Sequence, residues 1–100
     1  MKSKAVVFLP SAEADIRRSF AYYEACSSGL GSGFCDELDA VVSSLSEHSK
    51  LGSVFHVDIR RFLLKRFPYG VFYKTEEARI VVHAVLDLRM NPFGIKERFQ

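Results

Sequence analysis

Arg60, Arg61, Lys65 and Arg66 stand within one stretch, Ile59 to Tyr73 (IRRFLLKRFPYGVFY), together with Tyr69 and Tyr73; Lys74, Arg79 and Arg89 follow. Guanidinium, ammonium and phenol groups on one surface can hold RNA phosphates. With a general base they can also stabilise the charge that develops when a 2′-hydroxyl attacks its own phosphodiester. The same surface can contact an acidic protein. For Tyr69 and Tyr73, packing in a sheet core is preferred over base stacking. No other chemistry is legible: there is no Gly-x-Ser-x-Gly, no Cys paired with a nearby His and no carboxylate pair set apart among apolar residues. Cys26 and Cys35, and His48, His56 and His83, show no metal-ligand spacing, so no metal, cofactor or disulfide is expected, and the thiols are expected to be free and buried.

The elements that must position these groups follow from periodicity. Lys4 to Leu9 reads as a short strand covered on both faces and ended by Pro10. Ser11 is then placed to cap a helix, with Glu13 and Asp15 in the first turn where the macrodipole favours anions. Ile16, Phe20 and Tyr23 recur at helical steps and define its core face. Ser27 to Gly33 (SSGLGSG) follows a helix instead of a strand and lacks a Lys-Ser or Lys-Thr pair, so it reads as an inter-helix turn and not a phosphate loop. Phe34, Leu38, Val41 and Leu45 form the apolar face of a second helix, which completes an antiparallel helical hairpin.

After a polar segment, Glu47 to Ser53, three strands are expected: one between Asp58 and Arg66, with both parities apolar, one carrying Tyr69, Val71 and Tyr73 on one face, and one from Ile80 to Leu86. Phe67 and Pro68 mark the connection between the first two, since Pro has no N–H for a ladder. In the last of these strands Ile80, Val82, Ala84 and Leu86 alternate with Val81, His83 and Val85, which suggests a central strand with His83 packed in the core. The fold class is therefore α+β: an N-terminal strand, a helical hairpin, then a three-strand antiparallel meander in one domain, residues 1–100. The segment Leu88 to Gln100 leaves the sheet carrying Phe93, Ile95 and Phe99, which either fold back or meet a partner.

Composition narrows the function classes. An apolar share of 48% with no run near the ~20 residues of a membrane span excludes a spanning helix. The apolar segment after Lys2 and Lys4 is too short for a signal peptide, which points to a cytoplasmic protein. Residues 1–49 hold four cations against seven anions, and residues 50–100 hold ten against five. A basic second half suits a polyanion or an acidic partner, and equally suits solubility.

The pieces Ala12 to Asp15 (AEAD), Ala21 to Glu24 (AYYE), Leu30-Gly31 with Phe34 and Glu37-Leu38, Arg60-Arg61 with Arg66 to Tyr69 (RFPY), Tyr73, Ile80 to Val85, and Arg89 with Pro92 together resemble the RelE/ParE superfamily of bacterial toxins from type II toxin–antitoxin modules. The resemblance covers nearly the whole chain. It implies a compact toxin neutralised by a cognate antitoxin whose C-terminal segment wraps it through helix-in-groove and strand-addition contacts. RelE-like members cut ribosome-bound mRNA without a metal. Against them, Arg89 matches one cleft arginine, but the central-strand arginine falls on Gly70 and the C-terminal tyrosine near Ile95, and neither residue can stabilise a phosphorane or move a proton.

The ParE-like branch, which poisons DNA gyrase by binding, is therefore favoured. In that reading Arg60, Arg66, Arg89 and Arg98 bind the target and Phe93, Ile95 and Phe99 bind the antitoxin, within a homodimer or a toxin–antitoxin hetero-oligomer. The alternative is a ribonuclease acting on the ribosome and mRNA through Arg61, Lys65 and Arg89. In the RFPY subfamily a His, a variable residue and two Arg are expected after the last strand, where this chain has Asp87, Leu88, Arg89 and Met90. Asp87 and Met90 motivate a third reading, a non-toxic relative that only binds an antitoxin.

Overall fold

A computed structural model describes residues 3–100; Lys2, counted above among the N-terminal cations, lies outside them. The elements run β1 (Ala5–Phe8), α1 (Pro10–Cys26), α2 (Leu30–Glu47), β2 (Ser53–His56), β3 (Ile59–Leu63), β4 (Tyr69–Thr75), β5 (Arg79–Asp87) and α3 (Pro92–Glu97). They form one mixed sheet in the order β1-β5-β4-β3-β2, with β1 parallel to β5 and the other pairs antiparallel. The α+β class, the helical hairpin and the connection at Phe67 and Pro68 agree with the sequence. The strand count does not, because β2 precedes the expected meander. Its turn to β3, Val57–Asp58, puts Val57 at φ 51°, where Asn or Gly is the usual signal of a tight hairpin, so nothing in the residue types announces it. At the other end β1 is an edge strand with Ala5 and Val7 exposed, and so is not covered on both faces.

Both faces of the sheet carry a core. On one face α1 and α2 pack against Tyr69, Val71, Tyr73, Ile80, Val82 and Val85. Phe34, fully buried, sits with Tyr23, Phe67 and Tyr69 at centroid distances of 5.5, 5.2 and 5.0 Å. On the other face Ile59, Phe72, Ala84 and Leu86 receive Ile95 of α3, with Phe55 and Phe99 alongside. The terminal segment folds back, and of the three apolar side chains expected on an exposed tail only Phe93 is exposed, at 76%.

The helical hairpin follows the sequence in α2 and departs from it in α1. Phe34, Leu38, Val41 and Leu45 are all buried. In α1 the buried stripe is Ala12, Asp15, Ser19 and Tyr23, while Ile16 and Phe20 are only half-buried. Pro10 is the first helical residue, a position where its missing N–H costs nothing, and Leu9 takes the N-cap place. Ser11 caps nothing; its hydroxyl donates instead to the His83 carbonyl on β5 at 3.3 Å. The inter-helix joint is shorter than expected, with Gly31 and Gly33 already inside α2. The Glu24 carboxylate accepts from Gly29 N–H and Gly31 N–H at 2.9 and 3.0 Å, which satisfies two donors at the start of α2. A Cβ on Gly31 would lie 2.7 Å from the Phe20 carbonyl oxygen, so this glycine sets how closely the two helices approach.

In β5 the alternation breaks. Phe72 pairs with Ala84 and Tyr73 with Val82, which leaves His83 as an extra residue in a bulge. Beyond it the faces exchange: Val85 joins the helical side with Ile80 and Val82, while Ala84 and Leu86 face α3. His83 is half-buried and is not a core histidine. Desolvation lowers its pKa, with Lys74 acting in the same direction and Asp58 and Glu76 opposing. Tyr73 is packed as expected, and its hydroxyl accepts from the Gly52 N–H at 2.9 Å, which anchors the turn before β2. Tyr73→Phe leaves that buried N–H without a partner. It is expected to cost about 1–3 kcal/mol, read by urea denaturation with an unchanged m-value.

Candidate functional site

The basic side chains singled out in the sequence are dispersed by the fold. Arg60 donates to the Gly52 and Lys50 carbonyls at 2.7 and 3.3 Å, so its guanidinium fastens the turn before β2. Arg61 lies on the α3 side of the sheet, 5.3 Å over the Phe55 ring. Lys65 and Arg66 sit in the β3–β4 connection, where the Glu37 carboxylate of α2 accepts from both of their main-chain N–H groups. The Arg66 guanidinium is then left over the Phe67 ring at 5.4 Å, with the residue exposed. Arg61 and Arg89 thus meet different partners, Phe55 and Asp87, and only the main chain of Lys65 is held, by Glu37.

Gly70 explains part of this. It faces the α3 side of the sheet, and a Cβ added there would meet Arg61 Cγ at 3.2 Å, Leu88 Cδ2 at 3.2 Å and Phe72 Cε1 at 3.3 Å. A side chain there would require these neighbours to give by a few tenths of an ångström. Ile95, which stands near the expected tyrosine, is buried against Phe72 and Leu86.

What the fold does bring together lies at the junction of α1, β5 and the terminal segment. β1 ends at Phe8, opposite Val82, so the outer edge of β5 beyond that point has no neighbouring strand. Asp15 of α1, 2% exposed, takes the strand's place: its Oδ2 accepts from Val85 N–H at 3.0 Å. The same carboxylate accepts from Arg98 at 3.0 and 3.2 Å and from Arg18 at 2.7 Å. One buried anion therefore joins the hairpin, the sheet and the segment after α3. Arg98, expected at a target surface, is held here with only 29% of its side chain exposed.

Beside this junction is a cleft of about 370 Å³ whose lining includes Asp15, Arg18, Tyr22, Tyr69, Asp87 and Met90. Asp87 of this lining takes a two-pronged contact from Arg89, at 2.7 and 3.0 Å, and also accepts from the Arg89 main-chain N–H at 2.9 Å. That pairing holds the Asp87 carboxyl below its ordinary range and raises the Arg89 pKa. From the sequence Asp15 reads only as a helix-start anion. The signal that could have found it is the stripe Ala12, Asp15, Ser19, Tyr23 at steps of three and four, since a carboxylate on a buried stripe implies a cationic partner.

Among the described residues no group of His, Cys, Asp and Glu is placed to hold a metal ion, and no helix is long and apolar enough to cross a membrane. Both cysteines are free; Cys26 is exposed, contrary to the expectation of buried thiols, and Cys35 is half-buried, with burial raising its pKa.

Residues 6–92 match the family model of the ParE toxin of the type II toxin–antitoxin system parDE. The fold is similar to a solved structure of a chromosomal ParDE toxin–antitoxin system from P. aeruginosa, with a TM-score of 0.76 at 13% identity, over 87% of this chain and 98% of that one. No curated protein sequence matches the chain.

Proposed function

Since the chain belongs to the ParE toxin family of type II toxin–antitoxin systems, we propose that it is a cytoplasmic toxin that poisons DNA gyrase by binding it, and that it does not cut RNA. The observation that carries this reading is Gly70, which stands in the place of the central-strand arginine and is closely flanked by Arg61, Leu88 and Phe72. The scatter of Arg61, Lys65 and Arg89 among separate partners supports it. Arg66 and Arg89, both exposed, are the cations best placed to meet the target. Arg60 and Arg98 contribute from within, by fixing the turn before β2 and the terminal segment.

A cognate antitoxin neutralises the toxin in this reading. A helix laid between α1 and α2 would find Ile16, Phe20, Ala21 and Cys35 lining an apolar groove, the mode in which amphipathic helices usually dock. Phe93 is the open apolar contact of the terminal segment, and Ile95 is reached only by lifting α3.

With purified protein at micromolar concentration, gyrase is expected to lose supercoiling activity and to accumulate cleaved DNA complexes. Primer extension after induction is expected to map no new mRNA ends. Unchanged gyrase together with new mRNA ends would instead establish the ribonuclease. Undisturbed growth on expression without an antitoxin would establish the non-toxic relative suggested by Asp87 and Met90.

A further inference from the structure

β2 ends the sheet on one side, and its outer edge has no neighbouring strand. The opposite end of the sheet is tied down: beside β1, the Lys4 N–H donates to the Ser46 carbonyl at 2.8 Å and the Lys4 carbonyl accepts from the Ser46 hydroxyl at 2.6 Å. An edge strand usually carries a charge or a proline that keeps other strands away. β2 reads Ser53-Val54-Phe55-His56, with no lysine, acid or proline, and Val54 is 61% exposed. Leu51 before it and Val57 after it are also exposed, so the apolar surface runs past both ends of the strand. Its one protective device is the bulge at Phe55, which keeps any added ladder short.

The residues along this edge complement one another when the strand meets its own copy. Residue pairs in an antiparallel ladder alternate between two kinds, so a two-fold axis can pass only where a residue faces itself. Ser53, Val54 and Phe55 are the candidates within β2. With Val54 on the axis, Leu51 of one copy stands opposite Val57 of the other, and Lys50 opposite Asp58, each contact occurring twice. With Phe55 on the axis, Lys50 would instead oppose Arg60, and with Ser53 on the axis Val54 would oppose Gly52 and Asp58 would oppose His48. Val54 alone sets apolar against apolar and cation against anion. Both charges are accessible: Lys50 is exposed, and Asp58 keeps 57% of its side chain exposed beside its 3.2 Å contact with Lys74.

We infer that the free edge of β2 is a self-association surface, on which two copies of this chain join antiparallel about Val54 so that one sheet runs through both. The joint is small, because β2 has four residues and a bulge, and it falls below the ~1,200 Å² at which stable interfaces begin. The dimer is therefore weak and forms as concentration rises. It does not rest on gyrase being the target.

The test is sedimentation equilibrium of the purified full chain from about 1 to about 500 µM, where the mean mass is expected to climb from monomer toward dimer. Val54→Lys sets two ammonium groups face to face on the axis. At so exposed a position it should leave the thermal midpoint nearly unchanged while weakening association by about tenfold. Lys50→Glu sets like charges opposite each other at both ends of the joint and should weaken it several-fold; combined with Asp58→Lys, which restores opposite charges, it should recover most of that loss. A chain that stays monomeric at the highest concentration, a dimer indifferent to Val54→Lys, or a double variant no tighter than Lys50→Glu would each overturn the assignment, the first by leaving the edge to a strand from another protein.

Discussion

Asp15→Ala is expected to lower the unfolding free energy by about 3–5 kcal/mol, the usual cost of removing one partner from a buried ion pair. The loss has three sources. Arg98, only 29% exposed, keeps its charge without a counter-ion, the Val85 N–H at the edge of β5 loses its acceptor, and the segment after α3 loses its tie to α1. In a chain of this size the thermal midpoint should fall by roughly 15 °C or more. Arg18→Ala is the control: Arg18 reaches the same carboxylate at 2.7 Å, but its side chain is 70% exposed, so its loss should cost no more than about 1 kcal/mol. Circular dichroism melts of the two variants separate the cases, and similar midpoints would show that Asp15 is not the keystone of this junction.

Phe72→Ala should match that effect through packing. Phe72 is fully buried on the α3 side, 5.0 Å from the Phe55 ring and 5.2 Å from the Phe99 ring, and truncating a buried phenylalanine typically costs about 3–5 kcal/mol. Hydrogen exchange locates the damage. Amides of 93–100 are expected to lose protection first, because α3 has only six residues and is held on the sheet chiefly by Ile95, with Phe99 after it. If α2 lost protection together with α3, the two faces of the sheet would be one cooperative core and not two.

The sequence was most readable where a single physical rule decides the outcome. In α2 every buried position is apolar, so helical spacing alone finds Phe34, Leu38, Val41 and Leu45. In α1 half of the buried stripe is polar, since Asp15 and Ser19 face inward to serve β5 and Arg98, and hydrophobic spacing selected Ile16 and Phe20 instead. In β5 the rule of two holds until His83; the bulge there is a backbone event with no residue signature, and it exchanges the faces of Val85 and Leu86. Val57 hides a hairpin because its positive φ occurs at a β-branched residue. The candidate cations were found as residue types, but their roles were not, because Gly52, Glu37, Asp87 and Asp15, which hold Arg60, Lys65, Arg66, Arg89 and Arg98, are scattered along the chain. Gly70 was the exception. Its lack of a side chain was visible at once, and in the fold Arg61, Leu88 and Phe72 close around it.

The parallel pairing of β1 with β5 also bears on the order of events at synthesis. Ala5 leaves the ribosome long before its partner but docks beside Arg79, and Phe8 beside Val82, so β1 has no seat until β5 has emerged. The helical hairpin can form early from local contacts, whereas closing the sheet must wait for its long-range partner and carries the corresponding loss of chain entropy. Val85 likewise must emerge before Asp15 meets its N–H, and Arg98 later still. The junction beside the cleft therefore cannot be completed before Arg98 has emerged, after both the hairpin and the sheet strands.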